Sequence, residues 1–194
     1  MSPPHVQISE DEFEHTLEGA RNGDHQSFAI LWRAFNPGLI RYLGGLANPE
    51  DAQDLASAVW VDVVRGLDRF EGNQPGFRAW LCTIGRHRTV DLRRAEGRRP
   101  QSARQEPDGQ RLDPLGDPGS DMEGRWSTEA AVALIGALPE DQAEVLLLRI
   151  VADLDVATVA QILGKRPGTV RVLAHRGLKR LAQQLEQRPV RAEE

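Results

Sequence analysis

Residues 165–176 combine cations with a small polar side chain at helical spacing, a set that could bind the phosphates and base edges of nucleic acid. The set consists of Lys165, Arg166, Thr169, Arg171, His175 and Arg176. Arg171 and His175 lie four residues apart and therefore share one side of a helix. The stretch from Gln161 to Leu181 holds six Lys and Arg and no acid, although the whole chain has a formal net charge of -5. This local charge is typical of a nucleic-acid-binding surface.

A helix-turn-helix would present these side chains on one exposed helix. Asp155 is an N-cap candidate for a short helix, Gly164 can supply a left-handed turn, and a second helix can begin near Pro167. The apolar residues of the second helix are expected on its buried side: Val170, Leu173, Ala174, Leu178, Leu181 and Leu185. The pattern predicts DNA binding. A helical hairpin whose basic residues only face solvent is the alternative, and it leaves the glycine turn unexplained.

A second group of cations lies in the amino-terminal half. Six arginines against two acids stand at residues 86–99. The helix that carries them is predicted to follow the turn EGNQPG at residues 71–76, and the spacing leaves Arg86, Arg93 and Arg94 free to face outward. Its inward positions are Phe77, Trp80, Leu81, Ile84 and Leu92.

Aromatic residues near these cations could stack on bases or fill the core. Phe77 and Trp80 match the spacing of the apolar stripe, and Trp60 lies in a similar stripe upstream. Core packing is therefore favoured for all three.

Three more helices are predicted before this one. A short helix lies around Phe13 and Leu17, and a long apolar stripe runs from Phe28 to Leu46 with Pro37-Gly38 expected to kink or break it. The next helix is predicted to begin at residues 48–51 (NPED), which offer a cap, a proline and acids in the first turn.

Strand-like alternation is scarce, so the fold class is predicted to be all-α, with two small helical domains. Prolines and glycines concentrate between residues 97 and 124 without apolar periodicity, which indicates a flexible linker. The predicted organisation is a disordered amino terminus at 1–9, a helical domain at 10–96, a linker at 97–125, a helix-turn-helix domain at 126–187 and a disordered tail at 188–194.

Catalytic and metal chemistry find no support in the sequence. Cys82 is the single cysteine, and the five histidines are scattered without carboxylate partners at ligand spacing. We find no Ser/His/Asp arrangement and no glycine-rich phosphate loop. The prediction is a protein with no enzymatic activity, no metal and no cofactor. Without a leader-like start or an apolar run of about 20 residues, it is expected in the cytoplasm without membrane insertion.

The carboxyl-terminal pattern resembles the promoter-reading domain of the extracytoplasmic-function group of bacterial sigma factors, within the sigma-70 family. The resemblance is carried by Leu138-Pro139, Val159-Ala160, Leu163-Gly164, Gly168-Thr169-Val170-Arg171 and His175-Arg176. It implies that the six-residue set at 165–176 reads the -35 promoter element.

The amino-terminal half resembles the domain of the same family that docks on core RNA polymerase and opens the promoter. The match is carried by Trp80, Leu81, Ile84, Gly85, Arg86, Asp91 and Arg94. Ser57-Ala58 and His87 depart from the common pattern of the family.

This second resemblance implies two binding surfaces. Asp51, Asp54 and Leu55 would bind the clamp helices of the β′ subunit of core polymerase. Amides and cations would hold the unpaired strand of the -10 element, because single-strand binding needs a pocket for a base and positive charge along the backbone. The residues implied are Asn73, Gln74, Arg78, Arg86, Arg88, Arg93 and Arg94.

The implied partners are core RNA polymerase, promoter DNA and an anti-sigma factor. One alternative remains open at this point: a stand-alone helix-turn-helix transcriptional regulator that acts without being a polymerase subunit. Such a regulator would bind DNA without polymerase, at a palindromic site if it is a homodimer.

Overall fold

The structure, a computed structural model, describes residues 8–98 and 128–186. The described elements are all helical: α1 (Glu10–Arg21), α2 (His25–Leu46), α3 (Ala52–Gly66), a 3-10 turn (Leu67–Arg69), α4 (Gln74–Arg98), α5 (Thr128–Gly136), α6 (Glu140–Leu146), a π-helical turn (Leu147–Val151), α7 (Val156–Leu163) and α8 (Pro167–Glu186). The all-α prediction is confirmed for this part of the chain. Most of the predicted linker, at 99–125, and the predicted tail at 188–194 lie outside the described residues.

Helix starts in the amino-terminal unit follow local capping chemistry. The Ser9 hydroxyl accepts a hydrogen bond from the backbone N–H of Glu12, and the Asp24 carboxylate accepts from the N–H groups of Gln26 and Ser27.

Residues 8 and 9 were predicted to be disordered, and this was wrong, because Ile8 is buried in the core. The sequence signal was weak there, since one apolar residue before a cap shows no periodicity.

Two further boundaries differ from the sequence prediction. α2 continues through Pro37 as one helix to Leu46, so the proline does not break it. α3 begins at Ala52 rather than at the NPED stretch, whose Asn48 carbonyl instead accepts from the N–H of Asp51 in a turn. No side-chain cap is formed by Asp51.

An aromatic cluster centred on Phe77 holds the amino-terminal helices together. Phe77 of α4 is fully buried, with ring centroids 4.9 Å from Phe35, 5.2 Å from Phe70 and 5.6 Å from Phe13. Phe35 belongs to α2, Phe13 to α1 and Phe70 to the segment before α4. The Phe77 side chain therefore fixes the position of α4 against two helices and that segment. The predicted core roles of Phe77 and of Trp60, which is 5% exposed, are confirmed.

In the carboxyl-terminal unit, α7, a turn and α8 form the predicted helix-turn-helix. Asp155 caps α7 by accepting from the N–H groups of Ala157 and Thr158 at 2.7 and 2.9 Å. Gly164 ends α7 with φ +61°, the left-handed conformation for which glycine is favoured. α8 follows three residues later and packs on α6 and α7.

The buried side of α8 differs in part from the prediction. Val170 is fully buried, as expected, but Leu178 is 50% and Leu185 is 41% exposed. Gly177 is the residue that faces α6, and a Cβ there would lie 2.8 Å from Cδ1 of Leu146. Because α8 approaches α6 through this glycine, Leu178 is turned toward solvent.

The two units pack against each other through a shared apolar core. α2 contacts α5 and the π-helical turn. Leu147 is fully buried, and its side chain lies against Gly45 so closely that a Cβ at Gly45 would be 2.4 Å from Leu147 Cδ2. The structure therefore shows the two predicted domains docked rather than apart.

We expect Phe77→Ala to lower the free energy of unfolding by about 3 to 5 kcal/mol, because it leaves a cavity among buried rings. Urea unfolding followed by circular dichroism measures this change. Trp32→Ala is the control, since Trp32 is 42% exposed, and it should lose far less. Equal losses in the two variants would contradict the central role of Phe77.

Candidate nucleic-acid interface

The exposed face of α8 and its preceding turn presents five of the six residues predicted to read duplex DNA. Arg166, Thr169, Arg171, His175 and Arg176 are all exposed. Within the described parts of the chain, no ion pair involves any of these three arginines. Their charge is therefore available to phosphates or base edges.

Lys165 differs from these five residues. It is partly buried, and its Nζ lies 2.9 Å from Oδ1 of Asp141 at the start of α6. The contact joins the turn to α6 and offsets one cationic charge. Lys165 therefore helps to hold the helix-turn-helix together, and a phosphate would have to compete with Asp141 for it.

Asp155, the N-cap residue of α7, has a carboxylate whose ionised form is stabilised. Hydrogen bonds from the backbone N–H and the hydroxyl of Thr158, with a further backbone bond from Ala157, lower the pKa of Asp155 below its ordinary value. The carboxylate therefore stays ionised at neutral pH and keeps the first turn of α7 fixed.

Three α4 arginines predicted to hold a melted strand instead meet carboxylates of the carboxyl-terminal unit. Arg86 Nε lies 2.7 Å from Oε1 of Glu144, Arg93 binds Glu140, and an Arg78 guanidinium nitrogen lies 3.9 Å from Oδ2 of Asp153. Arg86 is partly buried, and Arg93, although exposed as predicted, is bonded to Glu140, so neither guanidinium is free in this arrangement. The sequence offered no signal for these pairs, since the partner carboxylates lie 47 to 75 residues downstream.

Arg88 and Arg94 are placed on other sides of α4. Arg88 makes two hydrogen bonds to Asp62 of α3, at 2.7 and 2.6 Å, in a bidentate geometry. Arg94 is exposed and lies 3.8 Å from Asp91, one turn earlier. The seven residues predicted to hold the strand therefore do not form one open surface in this structure.

Both amides predicted to read bases have structural contacts at the start of α4. Asn73 Oδ1 accepts from the N–H of Gly76 at 3.0 Å and so acts as a cap. Gln74 Nε2 donates to the carbonyl of Ile8 at 3.1 Å, and the Gln74 N–H donates to Glu10. Asn73 is exposed and can still present its free NH₂ group, whereas the Gln74 amide is tied to the segment before α1.

Glu144 is the least solvated of the carboxylates that face α4. Only 9% of its side chain is exposed. Burial raises the pKa of Glu144 above its ordinary value, although Arg86 opposes the shift through its charge and hydrogen bond. Burying ionised Glu144 therefore costs free energy. The pair of Glu144 with Arg86 contributes more to the relative orientation of the two units than to stability.

The outer face of α3 is a second exposed surface. Asp54 is exposed and Asp51 is half-buried, but Leu55 is only 7% exposed and lies in the core. Direct binding of a partner by Leu55, as implied by the resemblance, is therefore contradicted: α3 turns residues 52, 55, 56 and 59 inward. Sequence reasoning missed Val61 and Val64, which are 49% and 59% exposed on the opposite side.

A cleft of about 250 Å³ separates α2 and α4 from the π-helical turn. Cys82 lines it but is itself 4% exposed. Burial raises the pKa of the Cys82 thiol to about 12, so the thiolate needed for nucleophilic or metal chemistry is not formed at neutral pH. Among the described residues there is no cluster of three or more His, Cys, Asp or Glu that could hold a metal ion, and no helix suited to crossing a membrane.

Comparison with known proteins gives two family matches. Residues 31–99 match the family described as Sigma-70 region 2, and residues 128–181 match Sigma-70, region 4. Among curated proteins, the chain is 36% identical to "ECF RNA polymerase sigma factor ShbA" of Streptomyces griseus, over 87% of this chain and 92% of that protein. It is 27% identical to "ECF RNA polymerase sigma factor SigD" of Mycobacterium tuberculosis, over 94% of this chain and 88% of that one.

Two solved structures share the fold. The sigma factor RpoE of Bartonella quintana, in complex with the anti-sigma factor NepR, matches with a TM-score of 0.64 and 22% identity, over 84% of this chain and 99% of that one. CnrH in complex with the cytosolic domain of CnrY matches with a TM-score of 0.62 and 22% identity, over 92% and 100%.

Replacing Glu144 by Gln tests the electrostatics of this buried carboxyl. Because the pKa of Glu144 is raised on folding, its stabilising contribution is present below the ordinary carboxyl pKa of about 4.3 and is lost as pH rises through the folded value. We expect Glu144→Gln to gain stability relative to the natural sequence as pH rises from about 4 to about 7. Urea unfolding at several pH values measures this, with exposed Glu14→Gln as control. A relative loss of stability with rising pH would show that attraction to Arg86 outweighs burial.

Proposed function

This chain belongs to the extracytoplasmic-function (ECF) RNA polymerase sigma factors, and we propose that it reads the -35 promoter element with α8 and holds the melted -10 element with α4. The family is one of non-enzymatic transcription initiation factors. The observation that carries the proposal is the exposed cationic face of α8, presented by a capped helix and a glycine turn inside the residues that match region 4.

Duplex reading by α8 is supported by the kind and placement of its side chains. Arg171 and His175 lie one turn apart on the exposed face, with Thr169 at the helix start, where a small side chain allows close approach to base edges. Arg166 and Arg176 flank them and can bind phosphates. Each such phosphate contact adds about -0.9 to the log-log salt slope of binding.

Core polymerase is proposed to bind the outer face of α3. Asp54, Val61 and Val64 are exposed together on this helix, away from its buried side. An apolar centre with a charged rim is the usual composition of a protein interface. The exposed valines supply that apolar centre, in place of the buried Leu55.

Strand capture is proposed for Asn73 and the α4 arginines. Asn73 has an exposed amide, and α4 carries Arg78, Arg86, Arg88, Arg93 and Arg94 over five turns. Guanidinium groups spaced along a helix can follow a nucleic-acid backbone. This use requires that Arg78, Arg86, Arg88 and Arg93 leave their present carboxylate partners. The solved structure of RpoE in complex with the anti-sigma factor NepR supports a proposal that an anti-sigma factor also binds this chain.

Arg171→Ala is expected to weaken promoter use without harming the fold. Loss of a bidentate base contact costs about 1 to 3 kcal/mol, which corresponds to roughly a 5- to 150-fold drop in affinity. Run-off transcription with reconstituted core polymerase on genomic promoter fragments measures it. Arg33→Ala, an exposed arginine on α2, is the control. The proposal fails if both variants transcribe as well as the natural sequence, and a stand-alone regulator is indicated if palindromic DNA is bound tightly without polymerase.

The α3 surface is tested by Val61→Glu together with Val64→Glu. Because two apolar anchors become charged, we expect affinity for core polymerase to fall at least about tenfold, measured by fluorescence anisotropy of labelled protein. Ile150→Glu is the matched control, since Ile150 is 54% exposed on the carboxyl-terminal unit. Unchanged binding by the double variant would remove α3 from the interface.

A further inference from the structure

The cleft between α2, α4 and the π-helical turn combines an apolar lining with two cations. Its volume is about 250 Å³. Phe35, Leu39 and Leu81 contribute to the apolar lining, and the side chains of Arg41 and Arg78 also line the cleft. A concave space lined by apolar side chains with a few polar groups is the usual composition of a small-molecule site.

The guanidinium of Arg78 is incompletely paired in this cleft. Its Nε is covered from water and has no hydrogen-bond partner among the described residues. Its ion-pair partner Asp153 has an Oδ2 atom 3.9 Å from a guanidinium nitrogen, which is too far for a hydrogen bond, and the Asp153 side chain is 85% exposed. A buried donor without an acceptor costs free energy, and a bound acceptor would remove that cost.

The backbone that borders the cleft on the side of the carboxyl-terminal unit has two unusual features. The chain forms a π-helical turn at Leu147–Val151, a conformation that occurs frequently at functional sites. Asp153 has φ +51°, and it is the one residue other than glycine with a positive φ in the described ranges. Such conformations are uncommon and cluster at binding sites. The backbone therefore points to the same place as the unpaired Arg78 donor.

The volume and charge of the cleft limit the ligand to a small monoanion. A water molecule occupies about 30 Å³ in the liquid, so the volume corresponds to roughly eight groups of that size. Two arginines and one aspartate line the cleft, which leaves a formal charge of +1 among the lining residues. One negative charge on the ligand neutralises that charge.

We propose that this cleft binds a small aliphatic carboxylate, with the carboxylate oxygens on Arg78 and the hydrocarbon chain against the apolar lining. A guanidinium binds a carboxylate through two parallel hydrogen bonds, and the unpaired Nε can supply one of them. Each methylene that leaves water for the apolar lining strengthens binding roughly fourfold. The site lies away from α8, so this inference goes beyond the proposed function.

Arg41 adds positive charge to the cleft without being the anchor of the ligand. Burial lowers the pKa of Arg41, and the charge of Glu129 opposes this shift. Because an arginine side chain remains protonated in proteins, Arg41 keeps its charge. Its contribution is attraction at short range, whereas Arg78 supplies the directed hydrogen bonds.

Two variants test the two parts of the site, each with a matched control. Arg78→Gln removes the anchoring cation, and Arg33→Gln is its control because Arg33 is an exposed arginine on α2. Gly38→Leu places a side chain at the cleft, where a Cβ has no neighbour within 4 Å. Gly168→Leu is its control, since a Cβ at that position of α8 also has no neighbour within 4 Å. Leucine is a better helix former than glycine, so neither helix should be weakened.

NMR titration of each ¹⁵N-labelled full-length protein, without DNA or polymerase, measures the binding of sodium hexanoate, sodium acetate and 1-hexanol. We expect hexanoate to bind the natural sequence at one site with a Kd of about 1 mM or below. Acetate, which lacks most of the chain, and 1-hexanol, which lacks the charge, should bind at least about tenfold more weakly.

Arg78→Gln and Gly38→Leu should each weaken hexanoate binding at least about tenfold, because one removes the charged hydrogen bonds and the other fills the space. Arg33→Gln and Gly168→Leu should bind as the natural sequence does. The same spectra show whether each variant is folded, and Gly38→Leu carries the test if Arg78→Gln is not.

Three results would overturn the proposal: no saturable binding of hexanoate, equal binding of acetate or 1-hexanol, or unchanged hexanoate binding by Gly38→Leu. Shifts of amide signals confined to residues away from the cleft would also overturn it. Weaker binding in the two cleft variants, with both controls unchanged, supports it. Because neither DNA nor polymerase is present, these results leave the proposed function to its own tests.

Discussion

The close packing of Leu147 against Gly45 is the contact on which the packing of the two units against each other depends. It joins α2, the central helix of the amino-terminal unit, to the π-helical turn between α6 and α7. The ion pairs Arg86–Glu144 and Arg93–Glu140 also cross between the units. Because a buried leucine fills the space left by an absent side chain, the contact is specific in shape and independent of salt, unlike the exposed ion pairs beside it.

Local chemistry explains what the sequence predicted well. The helix-turn-helix was visible because its signals lie within a few residues of each other: Asp155 caps α7, Gly164 ends it, and Pro167 begins α8. The core roles of Phe77 and Trp60 followed in the same way from helical spacing. Patterns of this kind need no knowledge of distant parts of the chain.

The errors concern contacts that sequence spacing does not encode. Arg86 was predicted to face outward, but Glu144, 58 residues away in sequence, accepts its hydrogen bond. Leu178 fitted an apolar stripe, yet the close approach at Gly177 rotates α8 so that this leucine is exposed. Leu55 fitted a family surface but faces the core. For Arg86 and Leu178 a contact distant in sequence decided which side of the helix meets other helices, and helical periodicity alone leaves that choice open.

The bidentate bond between Arg88 and Asp62 gives the amino-terminal unit a mechanical property. It braces α3 against α4 at one point, and Trp80 of α4 braces them again near Gly66, where a Cβ would lie 3.0 Å from the indole ring. Because α3 and α4 are held together at two places, they move as one rigid body. A partner that displaces the outer surface of α3 therefore displaces α4 as well, together with the guanidinium groups along α4.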